Sequence, residues 1–375
     1  MPFFNFGKLG KKSTLGIDIG TASVKFVELS KEAGRFRLEN YGLFELESAT
    51  AAPVAPNEKS GALSVFDQQL VWGIKQTIER SKFSGREAVA SIPSFSAFST
   101  VITMPYLSEQ DIAKTIPYEA RKYVPIPLDQ VVLDWSIINV TNATTGGILG
   151  AERGLGPNPA GGNKAPTVEV FMVAVPKEEA KRYQNIMKQA GLNPRALEIE
   201  NSALIRALVG NDLSPLAIIN IGGRSTSILI VENGFERVSH NYEVGGFEIT
   251  KAIAQALGVS LKRAEELKRN LRTQQSNEQM IIEAMSSLVD LIVFETKKTV
   301  HNYEDIRKLK IGRVLLVGGL VNMPVFVDYF STKLGLAVMA GNPLARVVYP
   351  LALETIKTEL NSTFAVALGL AMREV

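Results

Sequence analysis

Two related segments far apart in the chain constrain its fold more than any other feature. The segment "DIGTASVKFVEL" covers residues 18–29, and "NIGGRSTSILIV" covers residues 220–231. Each has a polar residue, Ile-Gly, small or hydroxyl residues and then an apolar strand, with a turn glycine beyond it at Gly34 and Gly234. The two copies stand 202 residues apart, which is too far for a solenoid repeat and suits two homologous halves. A chain of 375 residues has room for two or three domains of roughly 150 residues.

The residue types in these segments favour phosphate binding. Gly20 and Gly222 allow a tight turn and a close approach of the backbone to a ligand. Successive N–H groups in such a turn bind anions, and nearby hydroxyls add donors. The hydroxyls are those of Thr21, Ser23, Ser225, Thr226 and Ser227. Asp18 would face the phosphates, where a carboxylate is useful only with a metal ion between them. One such hairpin alone is equally a plain β-turn, but a matching pair indicates a phosphate clamp.

A third motif follows in "GRVLLVGGLVNMPVFVDYF", residues 312–330. A buried strand leads to Gly318 and Gly319 and then to a helix, so that a nucleotide's sugar or base can lie against bare backbone. Strand and helix signals alternate through the rest of the chain, which predicts an α/β architecture. A helix is predicted from Ser108 with Ile112, Ile116, Ala120 and Tyr123 on one face and a kink at Pro117. Another helix is predicted at about 279–303, with Ile282, Met285, Val289, Ile292 and Val293 facing the core.

Composition excludes several classes of protein. The net charge of +3 argues against a nucleic-acid binder, which would carry a basic stripe. The chain has no cysteine, which excludes disulfides, thiolate metal sites and cysteine nucleophiles. His240 and His301 are its only histidines, too few for a histidine-rich metal site. No apolar run approaches the ~18–20 residues that span a bilayer. We therefore expect a cytoplasmic protein.

Three segments lack a clear element. The start, "MPFFNFGKLGKK", has aromatic residues before lysines, the reverse of the order in a signal peptide. It is either a flexible tail or a weak contact with a membrane surface. Residues 49–62 are rich in Ala and Pro and predict a surface loop, and residues 141–166 are rich in Gly, Asn and Pro and predict an enlarged hairpin tip.

The order of hairpin, second hairpin and Gly-Gly turn resembles the actin-like ATPases (actin, Hsp70, sugar kinases). In these proteins two ribonuclease-H-like domains surround a nucleotide cleft. The segment "AVASIPSFSAFSTVITMPYLSEQDIAKTIPYEARKYVPIPLDQVVLDW", residues 88–135, is similar to the PilM family of type IV pilus assembly proteins. "VFMVAVPKE" and "AGLNPRALEIENSALIRAL" favour PilM over its relative FtsA. "GGFEITKAIAQALG" and "AEELKR" match both.

The resemblance implies a set of site residues and an ATP or ADP cofactor with Mg²⁺. The first phosphate loop would use Asp18, Gly20, Thr21, Ala22, Ser23 and Lys25, with Asp18 holding Mg²⁺ through water. The second loop would use Gly222, Gly223, Arg224, Ser225 and Thr226. The adenosine would border Glu265, Lys268, Gly318, Gly319 and Asn322. Without the resemblance, the charges of "AEELKR" are equally a solvated helix face.

One position departs from the family pattern. Asn220 stands where the family usually has an aspartate, at the second metal position. An amide can accept from a metal-bound water but brings no negative charge. Glu198 or Glu200 lies where these ATPases place the group that polarises the attacking water, and the sequence leaves open which one points inward. We expect Mg²⁺–ATP to bind, with slow or absent hydrolysis.

The resemblance also implies a partner: the N-terminal tail of a PilN-like inner-membrane protein. The tail would dock in a groove between the core and the inserted subdomain, and place the chain at the inner face of the cytoplasmic membrane. The candidate groove wall is Glu119, Tyr123, Pro125, Ile126 and Pro127. Its prolines are equally a means of ending a helix. An FtsA-like division protein is an alternative, although "FAVALGLAMREV" at the C-terminus suits closure of the first domain better than a membrane helix. A small-molecule kinase of the same fold is a second alternative.

The expected architecture is an actin-like ATPase fold with two insertions. The first core domain is expected at 14–85, 176–214 and 345–375, the first inserted subdomain at 86–175, the second core domain at 215–243 and 312–344, and its insertion at 244–311.

Overall fold

The computed structural model describes residues 13–46, 64–141, 166–271 and 278–373. The N-terminal segment, the predicted loop at 49–62 and nearly all of the predicted hairpin tip at 141–166 lie outside the described residues. The strands are β1 (Ser13–Ile19), β2 (Ser23–Glu32), β3 (Arg35–Glu45), β4 (Glu87–Ile92), β5 (Phe98–Pro105), β6 (Val131–Thr141), β7 (Thr167–Pro176), β8 (Asn193–Ile199), β9 (Leu216–Ile221), β10 (Thr226–Glu232), β11 (Phe235–Tyr242), β12 (Val314–Gly318), β13 (Val338–Ala340) and β14 (Val347–Val348). The helices are α1 (Val65–Arg80), α2 (Glu109–Ala120), α3 (Lys177–Gln189), α4 (Glu200–Leu208), α5 (Gly246–Leu257), α6 (Leu261–Arg269), α7 (Glu278–Arg307), α8 (Phe326–Leu334), α9 (Lys357–Thr363) and α10 (Ala365–Ala371).

Two sheets share one topology. The first has the order β14-β3-β2-β1-β4-β8 and the second has the order β11-β10-β9-β12-β13. In each sheet three consecutive antiparallel strands are followed by strands that run parallel to the first of the three. The repeated sequence segment is therefore a repeated sheet, and the prediction of two related halves in an α/β fold is confirmed.

The C-terminal helix α10 covers the first sheet. A Cβ at Gly16 would lie 2.2 Å from the carbonyl oxygen of Ala367 and 2.6 Å from the nitrogen of Ala371, so only glycine lets β1 and α10 approach this closely. Every residue of α10 is buried. The apolar end of the chain therefore closes the first core, as its composition predicted.

The two predicted helices form, with differences at their ends. Ser108 caps α2, because its Oγ accepts from the Asp111 N–H at 3.2 Å, and Pro117 lies inside the helix. Tyr123 was expected on the buried face and is 45% exposed, because α2 ends at Ala120. Helix α7 is longer than predicted, and Ile281 rather than Ile282 faces the core.

A third sheet, with the order β5-β7-β6, carries α2. Strand β4, by contrast, pairs with β1 and β8 in the first sheet, whereas the expected boundary at 86 placed it in the inserted subdomain. Its apolar residues are buried on both faces, which suits a central parallel strand. The other expected boundaries stay a prediction.

Buried charges attach this third sheet to the second sheet. Arg237 Nη1 on β11 lies 2.8 Å from a carboxylate oxygen of Glu169 on β7. Arg307, at the end of α7, bridges Glu169 and Glu232 at 3.0 Å each. Two of these ion pairs, Arg237–Glu169 and Arg307–Glu169, join the third sheet to the second half of the chain. Separating the two sheets would leave these buried charges unpaired, which is costly. In the described ranges, no helix has the length and apolarity that a bilayer crossing demands.

Candidate functional site

The two hairpins make the same turn. The Gly20 N–H donates to the Ser23 carbonyl at 3.1 Å, and the Gly222 N–H donates to the Ser225 carbonyl at 2.9 Å. Asp18 pairs with Lys25 across the first hairpin, and Asn220 occupies the same register opposite Ser227 in the second.

These two turns touch each other. A Cβ at Gly223 would lie 2.5 Å from the Ala22 Cβ and 3.3 Å from the Thr21 Oγ1. Any side chain at this position would push the turns apart, so the contact needs glycine. The structure thus brings together both predicted phosphate loops, one from each half of the chain.

Asp18 is buried beside the first turn and is 4% exposed. Lys25 Nζ lies 3.0 Å from its Oδ2, and the Ser91 hydroxyl donates to its Oδ1 at 3.1 Å. The Ser91 Oγ also accepts from the Ile19 N–H at 3.0 Å. Sequence reasoning missed Ser91, although a lone serine in the buried strand "AVASI" was a usable signal. These contacts hold the carboxylate in one place.

Asn220 gives the second hairpin no matching charge. It is partly exposed, and its position in the sheet is the counterpart of Asp18. Among the described residues, no group of three or more His, Cys, Asp or Glu side chains could hold a metal ion. A divalent cation beside Asp18 would therefore take most of its oxygen ligands from phosphate and water, which is typical of Mg²⁺.

The two candidate glutamates point to different surroundings. Glu198, at the end of β8, is buried and accepts from Arg206 and from Arg373, the latter at 2.7 Å. Glu200 begins α4, where burial and the negative charge of Asp18 raise its pKa to about 8. Glu198 is therefore neutralised by two arginines, whereas the pKa of Glu200 is raised in part by the charge of Asp18.

Glu265 and Lys268 lie beside the second turn. Lys268 Nζ is 2.6 Å from Glu265, donates to the Thr250 hydroxyl at 2.7 Å and donates to the Gly246 carbonyl at 3.1 Å. The Gly246 N–H in turn donates to the Gly222 carbonyl at 2.9 Å. Lys268 is only 8% exposed, and burial lowers its pKa. This lysine does not belong to a solvated helix face.

The Gly318–Gly319 turn lies beside Ile221, the residue just before the second glycine turn. Gly318 has a φ of +103°, and a Cβ there would lie 2.0 Å from the Ile221 carbonyl oxygen, so this position needs glycine. A Cβ at Gly319 would meet nothing within 4 Å, which leaves bare backbone beside open space. Asn322 donates to the Thr363 hydroxyl at 3.1 Å and accepts from Ser362 at 2.7 Å. Its amide therefore binds the end of α9.

The start of α5 also belongs to the site, and sequence reasoning assigned it no role. A Cβ at Gly245 would lie 2.7 Å from the Gly223 carbonyl oxygen, and the Phe247 N–H donates to that oxygen at 2.8 Å. The Arg224 guanidinium lies over the Phe247 ring at 5.2 Å. The two glycines in "VGGFEIT", between a strand and a helix, were the available signal. The start of helix α5 thus packs against the second turn and holds its backbone by hydrogen bonds.

A separate pocket of about 550 Å³ lies after α2. It is lined by Arg121, Val124, Pro125, Ile126, Pro127, Leu128 and Asp129. Lys177, the first residue of α3, donates to the Asp129 carbonyl at 2.7 Å, so the pocket adjoins the first core. Of the predicted groove wall, the three residues Pro125–Pro127 line the pocket. Tyr123 lies outside it and Glu119 pairs with Lys122 at 2.8 Å.

Comparison with known proteins agrees with this architecture. The family model described as type IV pilus assembly protein PilM matches residues 16–148 and 153–375. The chain belongs to the PilM family. A structure of a PilM–PilN type IV pilus biogenesis complex is similar, with 21% identity and a TM-score of 0.76, over 97% of this chain and 98% of that one.

A second similar structure is the ethanolamine utilization protein EutJ from Carboxydothermus hydrogenoformans. It has 16% identity and a TM-score of 0.54, over 96% of this chain and 89% of that one. Such likenesses show the fold, which is the actin-like ATPase fold that the order of the three motifs predicted.

Proposed function

We propose that this chain is an ATP-binding scaffold of the type IV pilus assembly platform, in which the bound nucleotide sets the conformation. The contact between Gly223 and Ala22 carries the proposal, because it brings two glycine turns, one from each half, to a single anion site. Family membership supplies the pilus context. A ligand held by both halves is favoured in the closed arrangement and shifts the protein toward it.

The residues of the site divide the binding of the nucleotide among them. The N–H groups and hydroxyls of the turns at Gly20–Ser23 and Gly222–Thr226 would bind phosphates. Asp18 would hold the waters of Mg²⁺, which neutralises phosphate charge. Glu265 and Lys268 would border the adenosine on one side, and the backbone at Gly318–Gly319 on the other.

Two features oppose hydrolysis. Asn220 adds no charge for Mg²⁺. Burial raises the pKa of Glu200 to about 8, so most of this carboxyl is protonated at neutral pH and only the ionised minority would accept a proton from water. Glu198 is held by two arginines, so it is not the better candidate for a base.

Phosphate release from the purified chain tests this part of the proposal. We expect at most a few turnovers per hour, with Asp18→Ala as the control for contaminating ATPases. Fast turnover that Asp18→Ala abolishes would show an ATPase rather than a binding scaffold.

The proposed partner is the N-terminal tail of a PilN-like inner-membrane protein. The similar PilM was solved in a complex with PilN, and this chain has a pocket after α2 whose lining is mostly proline and aliphatic side chains. Extended peptides dock where apolar pockets lie beside accessible backbone. The partner would hold the chain at the inner face of the cytoplasmic membrane.

A binding assay with the tail peptide tests the pocket. Ile126→Ala should weaken binding about 5- to 30-fold, since it removes apolar contact area from the pocket lining worth roughly 1–2 kcal/mol. Val132→Ala serves as the matched control, because Val132 is 48% exposed and lies on β6, outside the pocket lining. Undiminished binding by Ile126→Ala would remove this site.

A further inference from the structure

The guanidinium of Arg224, in the second glycine turn, carries donors that the described part of the chain does not use. Its carbon lies 5.2 Å from the centre of the Phe247 ring, at the start of α5. Within the described ranges, this side chain forms no hydrogen bond and no ion pair. Stacking on a ring uses the face of a guanidinium and leaves the N–H donors in its plane available. Arg224 therefore presents a charged group that is suited to an anion.

The same helix fixes the backbone of Arg224. The Phe247 N–H donates to the Gly223 carbonyl at 2.8 Å, and a Cβ at Gly245 would lie 2.8 Å from the backbone nitrogen of Arg224. Contacts on both the backbone and the side chain keep the guanidinium close to the turn. The residue just before it, Gly223, is the one that touches Ala22 in the first half of the chain.

The other two cations assigned to nucleotide binding already have anionic partners. Lys25 lies 3.0 Å from Asp18, and Lys268 lies 2.6 Å from Glu265. Each of these pairs brings no net charge to a ligand. Among the described residues of the site, Arg224 is therefore the cation whose charge is left for phosphate.

We propose that Arg224 is the residue by which the site distinguishes ATP from ADP, through the terminal phosphate. This inference rests on the proposed function. The adenosine would lie against Gly318, which contacts Ile221 just before the second turn, whereas Arg224 follows the contact between the two turns. The phosphate farthest from the adenosine is then the one nearest to the guanidinium. Arginine binds phosphate through two parallel hydrogen bonds, a geometry that lysine does not reproduce.

Calorimetric titration with ATP and with ADP tests this assignment, in EDTA so that no metal neutralises the phosphates. The wild-type chain should bind ATP more tightly than ADP. Arg224→Gln should lower the ATP affinity about 10- to 30-fold, because a charged hydrogen-bonded contact is lost, and should change the ADP affinity less than about threefold. Arg224→Lys keeps the charge without the paired hydrogen bonds, so its ATP affinity should lie between those of the wild type and Arg224→Gln.

Arg195→Gln is the matched control. Arg195 pairs with Glu87 at 3.0 Å, near the start of β8 and away from the end of the sheet that carries Asp18, so both affinities should stay unchanged. Thermal unfolding without nucleotide checks that each variant is folded.

The comparison of the two nucleotides separates recognition from support of the turn, because a role in holding the backbone would weaken ATP and ADP alike. Equal losses of both affinities in Arg224→Gln, or no loss of either, would overturn the proposal and leave the nucleotide site in place. A wild-type chain that binds neither nucleotide would overturn the proposed function, and this inference with it.

Discussion

The two hairpins have the same backbone and different chemistry. Both turns close with a glycine N–H bonded to the carbonyl three residues later, at 3.1 and 2.9 Å. In the first, a buried carboxylate meets a lysine and a serine. In the second, an amide stands in the same register and the hydroxyl opposite it donates to Asn241 at 2.7 Å. In the proposed function, the first hairpin would bind a cation beside phosphate, and the second would bind phosphate alone.

The contrast between Asp18 and Asn220 affects phosphate binding and hydrolysis differently. Backbone N–H groups attract phosphate wherever the turn forms, and both hairpins form it. A metal ion poised for hydrolysis needs negative ligands, and only the first hairpin provides one. In the proposed function, the chain would therefore bind the nucleotide between the two turns without hydrolysing it fast.

The largest effect is expected from separating the hairpins. Gly223→Val places side-chain atoms within the 2.5 Å gap to Ala22, so the turns must move apart and their anion site is lost. We expect nucleotide affinity to fall at least about 100-fold, or roughly 2.8 kcal/mol, as measured by calorimetric titration. Gly312→Ala is the control, because a Cβ at Gly312 meets nothing within 4 Å. Equal nucleotide affinities for Gly223→Val and Gly312→Ala would contradict the proposal that the two turns bind the nucleotide together.

The second-largest effects are expected from exchanging the carboxylate and the amide at the matching positions 18 and 220. Asp18→Asn makes the first hairpin resemble the second, and should weaken Mg²⁺–ATP binding about 10- to 100-fold while metal-free ATP binding changes little. Asn220→Asp makes the second resemble the first, and should raise the rate of phosphate release several-fold. A phosphate-release rate that Asn220→Asp leaves unchanged would show that the missing charge is not what limits hydrolysis.

The two glutamates should respond differently to pH. The folded-state pKa of Glu200 is about 8, above its ordinary value of 4.5, so its contribution to stability is full below pH 4.5 and is lost as the pH rises through 8. Glu200→Gln removes that loss, and should raise the Tm at pH 8.5 relative to wild type more than it does at pH 5. Thermal unfolding at the two pH values measures this directly.

Glu198→Gln is the matched comparison. It leaves Arg206 and Arg373 without their shared carboxylate, and should cost about 1–2 kcal/mol of unfolding free energy at both pH values, since the arginines are partly exposed. If both variants showed the same pH dependence, the raised pKa of Glu200 would be wrong.

The smallest effect is expected at the rim of the site. Arg269 of α6 lies 3.1 Å from Glu45 at the end of β3, and both side chains are more than 60% exposed. Glu45→Ala should change the free energy of unfolding by less than about 0.5 kcal/mol. A larger loss, measured by urea denaturation, would show that this pair helps to hold the two halves together.

Local pattern was enough to predict the hairpins. Both segments repeat the order of residue types, so the turns at Gly20 and Gly222 and the alternation of strands and helices were readable without a structure. The cap at Ser108 was also readable, because an N-cap hydroxyl and a nearby acid act within one turn. Each of these features is fixed within a few residues.

Features that depend on distant parts of the chain were not readable. Glu198 and Glu200 are two residues apart, and only the folded arrangement, which brings Arg206 and Arg373 to Glu198, shows that the first is paired. Ser91 contacts Asp18 across 73 residues. The contact of Gly245 with Gly223 depends on how α5 meets the second sheet. Contacts between residues that are distant in sequence depend on tertiary packing, and the local sequence pattern does not predict them.

The most direct test of the nucleotide clamp is a calorimetric titration of the wild-type chain with ATP, in Mg²⁺ and in EDTA. We expect one site per chain, with tighter binding in Mg²⁺ because Asp18 then faces a cation rather than bare phosphate. A folded protein that binds neither ATP nor ADP at millimolar concentration would contradict this expectation.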